Sequence, residues 1–364
     1  MGGSRIARLP RWSRPAAVLA WRAWSESRRG GRARTARGPQ YCRALAGESD
    51  YNICINSDMT VSCNCRDFDG TGHIGDLTTQ TLEEVFAGAT PAAFQSALYE
   101  GTMPTSVCAI CPERAVLPAE RVADGPAACR VPTLGIMVEN TARCNLRCPL
   151  CDRQRLLDTR RQSSLSLDDV DRVAAMLAHH GVRRVYYFNL GEPFSSASIR
   201  EEVETLKSHL PSAQIFTSTN GVLLDRPGAL EAALLMDYVY FSIDGIDQET
   251  LERYQRGGDF ERSFGNMKRL VAMRGERGRA LGGTRLPIVE WKYVLFRWND
   301  RADHIRRALE RAEDAGVDRL TFVPGEAPAR EMSLRYFTDR MLETGRRSDV
   351  GIVFDLAPVP GEFD

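Results

Sequence analysis

Cys144, Cys148 and Cys151 are the residues of this chain best placed to do chemistry. They read Cys-x-x-x-Cys-x-x-Cys. They follow an apolar run, Thr133 to Val138, whose length and β-branched content predict a buried strand. A loop this tight can aim three thiolates at one point, and sulfur ligands favour iron–sulfur clusters, zinc or copper(I) over hard cations. A [4Fe–4S] cube held by three cysteines keeps one iron open for another ligand, whereas closed zinc sites normally have four protein ligands. A zinc knuckle and unrelated buried thiols are the plainer alternatives.

A second group of thiols lies upstream, between about residues 41 and 114. Tyr51 to Asn56 and Thr60 to Cys63 predict two short strands around a turn at Ser57-Asp58, followed by Cys65, a glycine-rich turn from Gly70 to Asp76, and a helix from Thr81 to Phe86. Leu82, Val85 and Phe86 share one face of that helix. The unit closes with Cys108-Ala-Ile-Cys111. A four-cysteine zinc ribbon follows the same spacing logic. Cys54, in mid-strand, and Cys129, in a Pro/Gly-containing linker, read as inert thiols.

The elements that must position the triplet begin near residue 132, where strands and helices alternate as in parallel β/α units. Ser166 caps a helix with Asp169 three residues on and Val170, Val173, Ala174 and Leu177 on one face, ending at Gly181. Strands are expected at Arg184–Leu190, Gln214–Ser218, Tyr238–Ile243, Ile288–Arg297 and Arg319–Val323. Helices with apolar faces Ile199/Val203/Leu206/Leu210 and Ile305/Ala308/Leu309/Ala312 lie between them, the second stopping at Gly316. Polar residues fall at the strand ends, where parallel β/α folds gather function: Gly191-Glu192-Pro193, Thr219-Asn220-Gly221, and Ser242 with Asp244. Singly these are ordinary turn residues; together, behind three thiols, they outline a site.

This constellation resembles the radical S-adenosylmethionine (radical SAM) superfamily over about residues 133 to 325. The resemblance implies an α/β fold, a partial (β/α)6 TIM-like barrel with a small N-terminal cysteine-rich α+β module. It implies a [4Fe–4S] cluster on Cys144, Cys148 and Cys151 with S-adenosylmethionine on the open iron. Glu192, presented by Gly191 and Pro193, would meet the cofactor amine, Thr219 and Asn220 its methionine part, Ser242 and Asp244 its ribose, Arg297 its carboxylate, and the Phe322 to Pro324 strand end its adenine. The activity implied is reductive cleavage of S-adenosylmethionine to a 5′-deoxyadenosyl radical that abstracts hydrogen from substrate. An electron donor such as flavodoxin or ferredoxin follows from that.

The upstream unit looks like a SPASM or twitch module carrying an auxiliary iron–sulfur cluster, with Cys42, Cys63, Cys108 and Cys111 as ligands and Cys65 as substitute. Its hairpin reads Asp58-Met-Thr-Val-Ser-Cys63 and its turn Ile74-Gly-Asp-Leu77. Met59 stands where the pattern has glycine, and the module precedes the barrel instead of following it.

Composition bounds the rest. With 43% hydrophobic and 26% charged residues the chain is an ordinary globular one, and its formal net charge of zero gives no global attraction to a polyanion. We expect no nucleic-acid partner and no membrane span, and the paired cysteine spacings point to a reducing, cytoplasmic setting. Residues 1 to 40, rich in arginine and nearly free of acids, read as a disordered extension, a transit peptide or an anionic-surface tether. Residues 115–131 read as a linker, 132–330 as the barrel, and 331–364 as a C-terminal helical segment and tail. Tyr187, Asn189, Glu290, Lys292 and Tyr293 are candidate substrate-facing residues, Glu290 and Lys292 sharing one strand face. The substrate expected is a polar small molecule or carbohydrate, with a ribosomally made peptide as the alternative; a non-enzymatic zinc or iron–sulfur protein is the reading from another class.

Overall fold

The computed structural model describes residues 38–105, 107–109, 111–280, 286–325, 327–328, 330–348 and 351–357. The arginine-rich extension, up to residue 37, and the tail from 358 lie outside the described residues.

In chain order the strands are β1 (Gln40–Cys42), β2 (Cys54–Ile55), β3 (Thr60–Ser62), β4 (His73–Asp76), β5 (Arg114–Val116), β6 (Ile136–Val138), β7 (Arg184–Tyr186), β8 (Gln214–Thr219), β9 (Tyr238–Ser242), β10 (Ile288–Leu295), β11 (Arg319–Pro324), β12 (Arg346–Arg347) and β13 (Ile352–Asp355). β1 and β5 pair as a ribbon. The others form one eleven-stranded sheet in the order β12-β13-β11-β10-β9-β8-β7-β6-β2-β3-β4. Within it β6 to β11 lie side by side in chain order, each pair parallel. Helices Leu167–His179, Ile199–His209, Ala229–Leu235, Phe260–Ala280 and Ala302–Ala315 make the crossovers. The expected alternation is present as an open sheet with two ends, not a closed barrel.

The sheet does not stop at the parallel strands. β2 pairs parallel to β6, with Cys54 opposite Met137, and β3 and β4 continue outward antiparallel. The cysteine-bearing hairpin thus extends the main sheet. At the other edge β13 pairs antiparallel to β11, so the C-terminal segment contributes strands as well as short helices.

Alternation along the strands separates two faces. Val138, Val185, Val239, Trp291 and Leu320 point outward into one core with Val173, Leu177, Val203 and Ala308 of the covering helices. The inner face is concave. Tyr240 on β9 lies near enough to Tyr186 on β7 and to Asp50 to feel their charges, although β8 stands between β9 and β7 at roughly 4.8 Å per strand.

Local chemistry explains most boundaries. The 167–179 helix starts where Asp169 N–H donates to Ser166 Oγ (3.1 Å) and Ser166 N–H to Asp169 Oδ2 (3.0 Å), and ends before Gly181 at φ 65°. β7 is shorter than its apolar run. Phe188 N–H turns back to the Tyr186 carbonyl (3.0 Å) and Asn189 swings to Glu139. Part of the expected glycine-rich turn is β4, held against β3. Met59 does occupy the left-handed region, at φ 66°, with its side chain buried. That backbone conformation costs about 1–2 kcal/mol. Burial of the thioether and two backbone hydrogen bonds, Met59 N–H to Asn56 O (2.9 Å) and Leu77 N–H to Met59 O (2.8 Å), offset it.

One buried ion pair ties these parts together. Glu139, just past β6, accepts from Arg160 Nε at 2.9 Å, from Asn189 Nδ2 at 3.0 Å and from Ser57 N–H at 3.2 Å. Arg160 also donates to Asn56 Oδ1 at 2.8 Å. The Arg160 and Glu139 side chains are only 4% and 0% exposed, so removing the cation strands a buried carboxylate. We expect Arg160→Met to cost about 3 kcal/mol in urea unfolding, and Arg160→Met combined with Glu139→Gln to recover most of it. A single variant as stable as the parent would show that the pair does not hold this region.

Candidate functional site

The cysteine loop lies across the C-terminal ends of the parallel strands. Three contacts fix it there. Glu192 N–H donates to Arg143 O (2.7 Å), Asn220 Nδ2 donates to Asn145 Oδ1 (2.9 Å), and Arg147 N–H donates to Arg256 O (3.0 Å). Its far end is clamped to the hairpin, where Arg161 N–H donates to Asp58 Oδ2 (3.0 Å) and Gln162 Nε2 to Ser57 O (2.9 Å). Gly191 is required by close approach: a Cβ there would stand 1.9 Å from the Thr141 carbonyl oxygen.

The three thiols meet two carboxylates at this mouth. Burial pushes Cys148 up to about 12, and the charges of Asp244, Cys151 and Cys144 add to it. Burial pushes Cys144 up to about 11; an N–H from Leu146 (3.4 Å to Sγ) opposes this, and Glu192 adds to it. Glu192, on the β7 side, and Asp244, past β9, therefore lie on the same rim as the triplet. Burial raises each carboxyl to about 7.

Glu192 is more engaged than an open acceptor. Its Oε1 accepts from Thr219 Oγ1 (2.7 Å) and Phe194 N–H (3.3 Å), and its Oε2 from Asn220 N–H (2.8 Å). It stitches the ends of β7 and β8 from a buried position. Pro193, buried, opens the short turn that follows. Asp244 Oδ1 accepts from Val294 N–H (2.8 Å), and Ser242 Oγ pairs with Ser218 Oγ (3.2 Å). Arg297 is placed differently from the other cofactor candidates. It is exposed beyond β10, and among the described residues its N–H alone is engaged, with Glu331 O at 2.9 Å.

Sequence reasoning missed Gln255. Its Oε1 accepts from Asp244 N–H (2.9 Å) and its Nε2 donates to Ser242 O (2.8 Å), fixing the turn that carries both. A lone glutamine in a loop offers no signal for this. Asn299 donates to the Asp244 carbonyl at 3.0 Å.

The upstream thiols also converge. Burial raises Cys63 well above the ordinary thiol range, and Cys42, Cys108 and Cys111 each add to the shift. Asn64 Nδ2 donates to Cys111 Sγ (3.3 Å), and buried Gln95 clamps the Cys42 backbone through both N–H (2.8 Å) and carbonyl (3.0 Å). Cys65 stands near Cys111 but turns its thiol to Asn52 Oδ1 (3.7 Å). Cys129 has burial as its sole perturbation, whereas Cys54 lies near Glu139 and Cys65.

Among the described residues no three histidine, cysteine or acidic groups are arranged to hold a single metal ion. The donor set nonetheless fits a cluster. Grouped, buried thiols that resist ionisation are stabilised as thiolates when a cationic metal core replaces water beside them.

Residues 138–285 match the family described as the Radical SAM superfamily. Over these residues the chain is similar to radical SAM domains, a class that uses a [4Fe–4S] cluster and S-adenosylmethionine. Among particular relatives, it is 34% identical over 139 residues to the GTP 3',8-cyclase of Chlorobaculum tepidum, covering 38% of this chain and 41% of that one. It is 28% identical over 193 residues to the PqqA peptide cyclase of Granulibacter bethesdensis, covering 52% and 46%. The chain thus spans less than half the length of these relatives. A solved structure, Streptococcus suis SuiB bound to S-adenosylmethionine, aligns with 51% of this chain and 38% of its own at 14% identity and a TM-score of 0.38.

The Gly191 contact gives a direct test of how the mouth is held. Gly191→Ala must displace the Thr141 carbonyl and with it the cysteine loop. We expect about 2 kcal/mol of destabilisation and a drop in iron retained after anaerobic reconstitution. Parental stability and iron content would show that the loop does not depend on this approach.

Proposed function

We propose that this protein is a radical SAM enzyme in which Cys144, Cys148 and Cys151 hold a [4Fe–4S] cluster at the sheet mouth and S-adenosylmethionine docks against it. The observation that carries this reading is the meeting of the thiol triplet with Glu192 and Asp244 on one buried rim. When bound, cluster and cofactor supply one-electron reductive cleavage of the sulfonium and hydrogen abstraction from a substrate. The chain's own residues bind and orient. Glu192 offers its carboxylate to the cofactor amine, Asp244 and Ser242 face the ribose, and the cysteine loop excludes water from above.

Cys42, Cys63, Cys108 and Cys111 are proposed ligands of an auxiliary cluster, in a SPASM-like unit whose hairpin continues the main sheet. The N–H donors aimed at Cys111 and Cys144 suit cluster sulfurs. Exposed Arg143, Arg147, Arg253 and Arg256 around the loop suit an acidic electron donor such as a flavodoxin. Ten cysteines, all free, fit a reducing cytoplasm, and no described helix is long and apolar enough to cross a membrane. Of the substrate classes, the relatives' names point to a GTP or a peptide and lend nothing to a carbohydrate; a peptide-maturing role remains the second reading.

Anaerobic reconstitution tests the assignment. We expect a brown protein with about seven to eight irons per chain that cleaves S-adenosylmethionine when reduced. Cys148→Ala should lose about four irons and the cleavage together; Cys108→Ala should lose about four irons and keep the cluster that Cys148 serves. Colourless protein with stoichiometric zinc would overturn the proposal.

A further inference from the structure

Beneath the cysteine mouth the inner face of the sheet is hollow, and its lining is specific. Along β8 to β11, apart from Gln214 at a strand start, the half-exposed residues are Ser218, Tyr240, Ser242, Lys292, Val294 and Val323. All lie on the inner face and in the upper part of their strands. Lower down, Phe216 stacks between Tyr186 (4.8 Å) and Tyr238 (5.4 Å) beside buried Ile288, closing the floor. The half-exposed inner-face residues therefore lie toward the rim that carries the thiols, Glu192 and Asp244.

Lys292 stands in register between Ser242 on β9 and Thr321 on β11. That is one inward layer, about 7 Å, below the Asp244 level. Its ammonium lies 3.6 Å from the centroid of the Tyr240 ring and makes no hydrogen bond or ion pair among the described residues. The nearest carboxylate, Glu290, is one layer lower and accepts from Tyr238 Oη at 2.5 Å. Burial lowers the lysine's pKa, with Glu290 opposing the shift. Beside it Thr321 Oγ1 is buried without a hydrogen-bond partner. An unneutralised ammonium at the hollow and, adjacent to it in register, a fully buried hydroxyl without a partner are a pair of donors lacking an acceptor.

We propose that this hollow is the substrate site, resting on the radical SAM reading above, and that Lys292 with Thr321 anchors a single carboxylate of the substrate. Phe188 and Tyr240 flank the site and supply an apolar wall for an aromatic or aliphatic body. Charge sets the class. The other cations of this face are already held, Arg319 by Asp355 at 2.7 Å and Arg184 by Asp50 at 3.7 Å. One available ammonium matches one carboxylate; a nucleoside triphosphate would bring several negative charges into a pocket that cannot balance them. A carboxylate side chain of an amino acid or peptide fits, and a GTP-like substrate does not.

The test uses equilibrium dialysis of phenylacetate against the anaerobically reconstituted protein with S-adenosylmethionine present. Tripolyphosphate serves as competitor. We expect phenylacetate to bind the parent, tripolyphosphate to leave that binding intact, Lys292→Met to weaken it at least about tenfold, and Lys292→Arg to retain most of it. Thr321→Val, which keeps the side chain's shape, should weaken it less, and it reports independently should Lys292→Met misfold by circular dichroism. No phenylacetate binding by the parent, equal binding by the lysine and threonine variants, or displacement by tripolyphosphate would overturn the proposal. Iron content and cofactor cleavage of the parent are scored separately, so failure of the radical reading is distinguishable from failure of the carboxylate site.

Discussion

The Glu139–Arg160 pair is the constraint on which the rest of the site depends. A thiol loop can only serve a strand-end site if both of its ends are fixed relative to the strands. Its N-terminal end leaves β6 at Glu139 and its C-terminal end returns through Arg160. Pairing those two residues in a dry environment closes the loop at its base. Because Asn56, Ser57 and Asn189 satisfy the remaining polar atoms, the same closure fastens the hairpin and the end of β7. A buried pair with every partner satisfied is worth less as net stability than as specification of one arrangement; here it specifies where the cysteines point.

That closure also explains why the upstream cysteine unit is continuous with the sheet. β2 adds to β6 in parallel, so the hairpin turn reaches the same level as Glu139 and can accept Arg160 and Arg161. Of the upstream thiols, Cys63 directly follows β3 of this sheet, whereas Cys42 ends β1 of the separate β1–β5 ribbon and Cys108 and Cys111 precede β5. Motion of the hairpin that carries Cys63 relative to the cysteine loop would require breaking backbone pairing as well as the ion pair.

Much of this was legible in the sequence, for identifiable reasons. The parallel core was readable because buried strands and amphipathic helices leave strong periodic signals, because Ser166 caps the first crossover helix, and because glycines end helices at Gly181 and Gly316. Cys42, Cys63, Cys108 and Cys111 lie near one another, as do Cys144 and Cys148 with Glu192 and Asp244; the resemblance to known motifs is what singled these positions out. What was not legible depended on contacts between distant residues. Strand length at β7 was set by Asn189 reaching Glu139, and apolar content alone overestimated it. Met59 in a left-handed conformation was flagged by its departure from glycine, but its buried side chain, which makes the position tolerable, could not be read locally. Gln255, Gln95 and Asn64 are single polar residues whose role exists only through partners far along the chain, and Arg297 shows the converse, a residue well placed by sequence that stands exposed.

The electrostatics of the mouth carry the argument a step further. Three thiols and two carboxylates converge there, and Cys144, Cys148, Glu192 and Asp244 are each held toward the neutral form chiefly by burial, with neighbouring negative charge adding to the effect on Cys144 and Cys148. No lysine or arginine is paired with Glu192 or Asp244 among the described residues; their partners are neutral hydroxyl and backbone N–H groups. A surface built this way is incomplete as bare protein and complete when positive charge arrives, first as a metal core that converts thiols to thiolates and then as a small cation that meets the carboxylates. A sulfonium nucleotide with a free amine supplies two positive centres in one molecule. The arrangement therefore ties cofactor binding to metal loading through charge, and the deeper layer at Lys292 reverses the sign, with an unpaired cation and a hydroxyl donor where the carboxylates above it are acceptors. Two ligands of opposite local charge can then lie one above the other in the same hollow without competing for the same groups, which is the spatial order a reaction between a bound cofactor and a separate substrate requires.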